Sequence, residues 1–316
     1  MKFKKLVLYD LKQNPLEREF VSALKETADE VKSIFAEKEY AGTLQSGHLA
    51  SADALVVRLF DDYPNRLLDN GSLRYIGTMH TAYGHFDQGF LKKKGITLCN
   101  VPRYATESIA ELEFSVLLNI ARQTCEALDF VREGKWGFEN FSGWELQGKT
   151  IGIIGLGAIG CRVAEIALSF GMNVCYCSRT RKLGWEHKGV RYRELDDLLR
   201  KSDVVSLNCE LNEQTKNILD REKIKIMKQG AVLLNPSPHQ LCDLNAVFSA
   251  AKKGKIFAWF EDIEDQKTRK KLLGAKNIAL TPNYGWMTVE AQQNLRKITI
   301  ENIKAFLAGT PQNKIV

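Results

Sequence analysis

The segment that most constrains the fold is an apolar run leading into a glycine-rich turn, IGIIGLGAIG at residues 151–160. Its first half is typical of a buried strand, and the residues after it keep the apolar spacing of a helix that stops at Gly171. The spacing G-x-G-x-x-G between a strand and a helix indicates a dinucleotide-binding unit, with the pyrophosphate at the helix amino terminus. Gly155 allows the turn, Gly157 allows close approach of the ligand, and Gly160 allows the helix to pack on the strand.

The turn after the next predicted strand, residues 173–177, favours NADP(H) over NAD(H). An NAD-binding protein places Asp or Glu about 20 residues beyond the glycines, where it binds the ribose 2′-hydroxyl. Here the turn reads SRTRK at 178–182, and it begins with Ser178 and Arg179. No carboxylate would repel a 2′-phosphate, while a hydroxyl and a guanidinium would bind one, so we predict NADP(H). The alternative is a solvated basic turn that binds nothing.

Composition excludes several other classes of protein. With 316 residues, 44% of them hydrophobic, the chain is long enough for two globular domains. The net charge of +7 is modest, and the basic runs at 92–94 and 267–271 lack interleaved aromatic residues, which argues against nucleic-acid binding. No apolar run reaches the roughly 20 residues of a membrane span. The seven scattered cysteines predict buried thiols in a cytoplasmic protein, with no metal site.

Both halves of the chain alternate predicted strands with predicted helices, which indicates parallel α/β sheets. In the first half we predict a helix over about 16–30. The polar turn at 80–85 follows the fourth strand of that half. Ligands of parallel sheets bind at the carboxyl ends of strands, so this turn is a candidate substrate loop. It contains His80, Thr81, Ala82, Tyr83 and Gly84.

Two longer helices are predicted outside this alternation. One extends over 106–133 and has a broad apolar face, which is typical of a helix that bridges domains and packs on a partner subunit. The other, at 289–307, follows the second unit and is expected to return to the first. We therefore predict a discontinuous substrate domain, residues 1–100 plus about 288–316, and a dinucleotide-binding domain, residues 101–287, that carries the dimerisation helix.

Five landmarks in order resemble the D-isomer-specific 2-hydroxyacid dehydrogenases over nearly the whole chain. They are NVPRYATESIAEL at 100–112, LQGKTIGIIGLGAIG at 146–160, DVVSLN at 203–208, GAVLLN at 230–235 and LTPNYGW at 280–286. The turn at 176–182 is similar to that of the NADPH-using members, such as glyoxylate reductases.

This resemblance implies two Rossmann- and flavodoxin-like doubly wound domains with the active-site cleft between them, and a homodimer. It also implies that backbone amides of the loop Thr81–Gly84 bind the substrate carboxylate. The implied cofactor contacts are Thr106, Gly155, Gly157, Ala158, Ile159, Ser178, Arg179, Thr180, Thr215 and Asp262, to which we add Gly160 and the loop Asn235, Pro236 and Ser237.

The catalytic trio of that family is absent position by position. The family's arginine corresponds to Pro238, its histidine to Asn283 and its glutamate to Lys267. A small gap would offer Glu264 as the carboxylate, but no histidine follows His239. Reduction of a ketone needs a proton for the developing alkoxide, and neither Pro nor Asn supplies one near neutral pH. The family's usual reaction should therefore be severely impaired.

Several residues are candidate substitutes. His239 and His80 are expected to titrate near neutral pH as proton donors, and Asn283 can hydrogen-bond a carbonyl. Arg58 can bind an anionic substrate group. Tyr83, Tyr284 and Trp286 are expected to line the substrate pocket. For each of these the alternative is structural: a packed ring, a non-catalytic imidazole or a surface ion pair.

Two functions remain open from the sequence. The first is an NADP(H)-dependent oxidoreductase with a non-standard reaction centre, which reduces a small carbonyl or imine substrate. The protonated imine already carries its charge and needs less proton donation, so it suits a site without the family's histidine. The alternative is a catalytically inactive NADP(H)-binding sensor or scaffold dimer, which would explain the loss of all three roles at once.

Overall fold

A computed structural model describes residues 2–11, 15–37, 42–59 and 61–316 and divides the chain into two compact units. One unit consists of residues 1–104 and 289–316, and the other of residues 105–288. Each has one sheet in which all strand pairs are parallel. The predicted class, doubly wound parallel α/β, is confirmed. The assignment of substrate to one unit and of the dinucleotide to the other stays a prediction.

The first unit is built on a five-stranded sheet. Numbered along the whole chain, its strands are β1 (Phe3–Leu11), β2 (Ala28–Ala36), β3 (Ala54–Val57), β4 (Tyr75–Thr78) and β5 (Thr97–Cys99). Its helices are α1 (Pro15–Leu24), α2 (Asn65–Leu68), α3 (Gln88–Lys94) and α12 (Val289–Leu307), with a 3-10 turn at Ser46–Leu49. The spatial order is β2-β1-β3-β4-β5. The central strands are buried on both faces, which is why they read as continuous apolar runs.

The C-terminal helix α12 belongs to this first unit. Its buried Leu295 and Ile303 share one apolar cluster with Phe3 and Leu6 of β1. The Asn302 amide also donates to the Asn100 carbonyl at 2.8 Å. The helix thus covers one face of the five-stranded sheet.

The second unit is built on a seven-stranded sheet. Its strands are β6 (Thr150–Ile154), β7 (Asn173–Cys177), β8 (Arg191–Tyr192), β9 (Val204–Leu207), β10 (Ala231–Asn235), β11 (Ile256–Phe260) and β12 (Ile278–Leu280). Its helices are α4 (Thr106–Arg122), α5 (Thr124–Arg132), α6 (Ala158–Ser169), α7 (Leu183–Glu186), α8 (Leu195–Lys201), α9 (Arg221–Ile226), α10 (Leu244–Lys252) and α11 (Gln266–Leu272), with a 3-10 turn at His239–Leu241. The order β12-β11-β10-β9-β6-β7-β8 reverses direction between β6 and β9. In sheets of this type that reversal is where ligands bind.

Two predicted helices differ from the structure. The first, predicted to extend to residue 30, ends at Leu24, because residues 28–36 pair with β1 as the edge strand β2. The second, predicted as one helix over 106–133, is broken at Gln123, which has a positive φ of 53°. There the Gln123 amide still donates to the Asn119 carbonyl, and the Asn119 side chain accepts from the Cys125 amide. The separate helix α5 begins at the next residue, Thr124.

The structure also tests the predicted burial of the cysteines and the possibility of a membrane-spanning helix. All seven cysteines are free thiols, and the prediction that they are buried is confirmed for Cys99, Cys175 and Cys242. It is wrong for Cys125, which is exposed, and for Cys161, Cys177 and Cys209, which are only half-buried. Among helices of the described residues, none combines the length and the apolar character needed to span a membrane.

Candidate functional site

The glycine turn links β6 to α6 in the second unit. Gly155 has φ of 96°, and a Cβ there would lie 2.4 Å from the Asn208 carbonyl oxygen. A Cβ on Gly160 would lie 2.1 Å from the Gly155 carbonyl oxygen. These two glycines are therefore required by the turn itself. Gly157 differs, because a Cβ there would meet no atom within 4 Å, although the helix begins at the next residue, Ala158. The open space before the helix is what an approaching anion requires.

The two arginines of the basic turn after β7, residues 178–182, differ in their contacts with carboxylates. Arg181 pairs with Glu186 and lies over the Tyr192 ring, 5.2 Å from the ring centroid. The Ser178 hydroxyl donates to the Thr180 carbonyl at 2.6 Å. Arg179 is exposed, and no carboxylate of the described chain lies within ion-pair distance of it. Arg179 is thus the guanidinium of this turn that is left to bind a phosphate, and Ser178 would have to rotate its hydroxyl to join it.

A buried carboxyl group, which the sequence interpretation missed, lies between α4 and the end of β9. Glu113 of α4 is completely buried and accepts a hydrogen bond from the Ser206 hydroxyl at 2.5 Å. The Ser206 oxygen in turn accepts from the Asn208 amide at 2.6 Å. Glu113 Oε1 and Asn208 Oδ1 are also buried, and neither has a hydrogen-bond partner among the described residues. Burial raises the pKa of Glu113 to about 8, so the carboxyl is mostly protonated at neutral pH.

A second buried carboxyl group adds to this effect. Glu261 follows β11 and accepts hydrogen bonds from the Gly285 backbone amide and from that of Tyr284. The Ser108 hydroxyl of α4 donates to the Gly285 carbonyl, so Gly285 is hydrogen-bonded to both Glu261 and Ser108. Burial raises the pKa of Glu261, and its negative charge raises that of Glu113 further. A charged residue among the apolar positions of a predicted helix was the signal that would have identified Glu113.

His239 is the predicted proton donor with the best-defined geometry. It begins the 3-10 turn after β10, is half-buried, and its Nδ1 lies 2.9 Å from the Asp262 carbonyl oxygen. A carbonyl oxygen only accepts, so Nδ1 carries the hydrogen and Nε2 is left to accept or, when protonated, to donate a proton. Burial raises the pKa of Asp262, and Glu264 raises it further. The structure thus brings His239 and Asp262 together, although we had predicted separate roles for them.

The loop after β10 and the threonine candidates have local partners. The Asn235 side chain is fully buried and accepts from the Ser237 amide at 3.0 Å, while the Ser237 hydroxyl donates to the Leu207 carbonyl at 2.9 Å. These bonds fix the loop 235–237 against the end of β9. The Thr215 hydroxyl donates to the Glu210 carbonyl at 2.6 Å. Thr106 is the first residue of α4 and is half-buried.

The segment after β12 holds the remaining candidates of the second unit. Asn283 is exposed, has φ of 52°, and its amide donates to the Glu261 carbonyl at 3.1 Å. The Trp286 ring donates to the Asn283 carbonyl at 2.9 Å. Tyr284 is 45% exposed. Asn283 and Trp286 are therefore in contact, and both Asn283 and Tyr284 are open to solvent.

In the first unit, His80 is not the titrating residue that the sequence predicted. It is 8% exposed, and its ring packs edge-on to His85 with the centroids 6.1 Å apart. Burial lowers the pKa of His80 to about 3, and the neighbouring His85 lowers it further. Burial also lowers the pKa of His85 to about 4. The prediction that His80 titrates near neutral pH is wrong, because the folded protein holds it neutral.

Arg58 lies near His80 and is buried rather than on the surface. Its Nη1 is 3.2 Å from Asp10 Oδ1, and the two side chains are only 9% and 1% exposed. The alternative hypothesis that Arg58 forms an ion pair on the surface is therefore wrong, because this ion pair is buried. The guanidinium is held at the carboxyl end of β3, beside the end of β1, and Asp10 compensates its charge.

The predicted substrate loop follows the same edge of this sheet. The Asn100 side chain donates to the Thr81 carbonyl at 2.7 Å, and the Thr81 hydroxyl donates to the Val101 carbonyl at 3.1 Å. Within the described residues, none of the backbone amides of Thr81, Ala82, Tyr83 and Gly84 donates to a protein acceptor. The Tyr83 side chain packs against the apolar cluster under the sheet. The loop is thus anchored by its side chains and carbonyls, while its amides are available to a ligand.

Comparison with known proteins agrees with the resemblance. Residues 114–285 match the family model described as D-isomer specific 2-hydroxyacid dehydrogenase, NAD binding domain. The chain is 35% identical to a glyoxylate reductase of Thermococcus litoralis, with 81% of each chain covered. It is also 35% identical to a hydroxypyruvate reductase of Blautia hydrogenotrophica, covering 81% of this chain and 80% of that one.

One solved structure is similar over nearly the full length. It is an acyclic imino acid reductase in complex with NADPH and D-Arg, 29% identical, with a TM-score of 0.87 over 99% of this chain and 100% of that one. The matched family model includes the glycine turn, and the solved structure shares the fold. The chain belongs to the D-isomer-specific 2-hydroxyacid dehydrogenase family.

Proposed function

We propose that the protein is an NADP(H)-dependent oxidoreductase that reduces a small carbonyl or imine compound through a reaction centre unlike that of its family. The matches to a glyoxylate reductase, a hydroxypyruvate reductase and an imino acid reductase support the reaction class. The absence of the family's trio at Pro238, Asn283 and Lys267 supports the altered centre.

The second unit fits the cofactor at two points. The space around Gly157 leaves room for a pyrophosphate at the start of α6, which a side chain there would fill. Arg179 supports binding of a 2′-phosphate, and residues 178–182 contain no carboxylate to oppose it. When bound, the reduced nicotinamide supplies the hydride of the reaction.

The observation that carries the proposal is the hydrogen bond of His239 to the Asp262 carbonyl. It fixes the ring and its tautomer, and so leaves Nε2 as the one nitrogen that can exchange a proton with a substrate. His239 directly follows Pro238, the position of the missing arginine. It therefore replaces the missing histidine from a different element. Asn283 adds an amide that can hydrogen-bond the reacting carbonyl or amine.

The first unit fits an anionic substrate group. The amides of Thr81–Gly84, which donate to no acceptor among the described residues, can bind a carboxylate, as the family resemblance implies. Arg58 adds positive potential at the same edge of the sheet, although Asp10 compensates part of it. A small 2-oxo acid, or the imine that it forms with an amine, carries both the carboxylate and the reducible bond.

Oxidation of NADPH, followed by its absorbance, tests this function. The panel contains glyoxylate, hydroxypyruvate and pyruvate, each with and without methylamine, and the controls contain NADH. We expect the wild type to turn over at least one member of the panel. The rate should fall about a hundredfold in His239→Gln, since general acid catalysis contributes about that factor. His187→Gln, an exposed histidine of the same unit, is the matched control and should be unchanged.

Each outcome has a consequence. Turnover that His239→Gln leaves intact would remove that residue from the reaction. Tight NADPH binding without turnover would favour the alternative, an inactive NADP(H)-binding sensor or scaffold dimer. No binding of either nucleotide would refute the proposal.

We also propose that the protein is a homodimer. No residue of α5 is buried, and large apolar side chains are exposed along α5 and the segment after it. These are Leu128 (52% exposed), Val131 (49%), Trp136 (89%) and Phe138 (81%). A second copy would cover them. Light scattering should therefore give a dimer mass for the wild type and a monomer mass for Leu128→Glu/Val131→Glu, and a monomeric wild type would contradict this.

A further inference from the structure

A cavity of about 560 Å³ lies at the amino ends of β6 and β7 in the second unit. Its wall includes Thr150 and Asn173, the first residues of β6 and β7. The glycine turn follows Ile154, the last residue of the same β6. Because a five-residue strand spans about 15 Å, the cavity lies at the opposite end of the strand from the predicted dinucleotide site.

Positive charge is concentrated around this cavity. The cationic residues in its wall are Arg191, Arg193, Arg200, Lys201 and Lys228. Arg191 lies in β8 and Arg193 directly after it, while Arg200 and Lys201 end α8. Lys228 lies in the loop before β10, so separate elements bring the five cations together. Among the described residues, none that is part of the wall is acidic.

Two carboxylates behind the wall compensate only some of this charge. Asp197 pairs with both Arg193 and Lys201, at 2.5 and 2.9 Å. Asp203 pairs with Lys228 at 2.8 Å and also accepts a hydrogen bond from the Thr150 backbone amide.

Arg191 and Arg200 are left without such compensation. Both are exposed, and neither is within ion-pair distance of a carboxylate in the parts of the chain that the structure describes. Five cations therefore share two carboxylates around one concave space. Converging like charges repel each other unless an anion lies between them.

We infer that this cavity is a second ligand site, which binds a small anion with two or more negative charges, such as a phosphorylated metabolite. Two guanidiniums on its rim can each bind a phosphate oxygen pair, and the ammonium groups of Lys201 and Lys228 add charge from the wall. The volume is that of a small-molecule site. The described residues of the wall include no aromatic side chain for base stacking, which favours a compact anion over single-stranded nucleic acid. This site does not depend on the proposed reduction.

Calorimetric titration with inorganic pyrophosphate tests the inference. The protein is first saturated with NADPH, so that the glycine turn is unavailable to the probe. The wild type should bind one equivalent, with an affinity that falls as the salt concentration rises. Arg191→Ser/Arg200→Ser should bind about tenfold more weakly, because two charge-assisted hydrogen-bonding groups are lost.

A matched double variant removes two exposed cations of the same unit outside the cavity, Arg221→Ser/Lys270→Ser. It should bind pyrophosphate like the wild type. Equal weakening in both double variants, or no binding by the wild type, would overturn the inference. A short oligonucleotide that binds through Arg191 and Arg200 more tightly than pyrophosphate would also overturn it, in favour of a nucleic-acid site.

Failure of this site and failure of the proposed function are distinguishable. If NADPH itself does not bind, the titration is performed without it, and the difference between the two double variants still reports on the cavity. If NADPH binds and is oxidised while pyrophosphate does not bind, only the second site is refuted.

Discussion

Glu113 and Ser206 are joined by a 2.5 Å hydrogen bond within the second unit, and this bond satisfies only one of the two carboxyl oxygens. The carboxyl group is completely buried, and the charge of Glu261 acts on it in addition. Both effects disfavour the ionised form, so the folded protein retains a proton on Glu113 that the unfolded chain releases near its ordinary pKa of 4.5. Stability is therefore linked to pH through this residue.

The first prediction concerns Glu113→Gln, which keeps the shape of the side chain and removes the titration. Between pH 4.5 and about 8 the folded state binds one more proton than the unfolded state. The free energy of unfolding should thus fall as pH rises, by about 1.4 kcal/mol per pH unit from this group. Urea unfolding at several pH values in this range should show a flatter dependence for the variant.

The control for this experiment is Glu111→Gln on the same helix, where the carboxyl is exposed. It should reproduce the slope of the wild type. If Glu113→Gln also does so, Glu113 is already ionised in the folded protein at neutral pH.

The second prediction separates two glycines of the same turn. Gly155→Ala should lower the free energy of unfolding by about 2 kcal/mol or more, because the positive φ is strained and the Cβ would meet the Asn208 carbonyl. Gly157→Ala should change stability by less than about 0.5 kcal/mol, since its Cβ meets nothing. The same Cβ would occupy the space that we assign to a pyrophosphate, so NADPH affinity should fall about tenfold or more. Unchanged NADPH affinity in Gly157→Ala would contradict that assignment.

Much of the fold was predictable because strong local patterns agree with the tertiary structure. The apolar strands, the glycine turn and the C-terminal helix each have a period or a composition that one physical cause explains. The errors occur where local preference was weak. Residues 28–30 follow a helix, and their pairing with β1 decides their state, while Gln123 carries no sequence signal for its left-handed backbone.

The candidate site was less predictable, because burial is a property of the fold and not of the residue. His80 and His239 look equivalent in the sequence, yet one is buried with a pKa of about 3 and the other is half-buried on a backbone carbonyl. Likewise, Arg179 and Arg181 are two residues apart, and only the structure shows that Glu186 engages the second. The network of Glu113 was not predicted, because this residue lies 93 positions before Ser206 in the chain.

The third prediction follows from that difference between the two arginines. Arg179→Ser should raise the dissociation constant for NADPH about tenfold or more and leave that for NADH nearly unchanged, since only NADPH carries the 2′-phosphate. Arg181→Ser is the matched variant, and it removes the ion pair with Glu186 instead. It should affect both nucleotides alike. Fluorescence titration with each nucleotide gives the constants, and an equal effect of Arg179→Ser on both would refute the assigned 2′-phosphate contact.

The fourth prediction concerns two histidines of the first unit, the buried His80 and the half-buried His85. The pKa values of His80 and His85, about 3 and about 4, lie below the ordinary 6.5, so below pH 6.5 the unfolded state binds more protons than the folded state. Each histidine therefore contributes stability that is fully present above pH 6.5 and is lost on acidification, by about 1.4 kcal/mol per pH unit. Urea unfolding between about pH 6.5 and 4.5 should lose this slope in His80→Gln and His85→Gln, but not in His187→Gln, whose imidazole is exposed. NMR titration gives the direct measurement, because ring signals of His80 that shift near pH 6.5 would show that the folded protein lets this residue ionise.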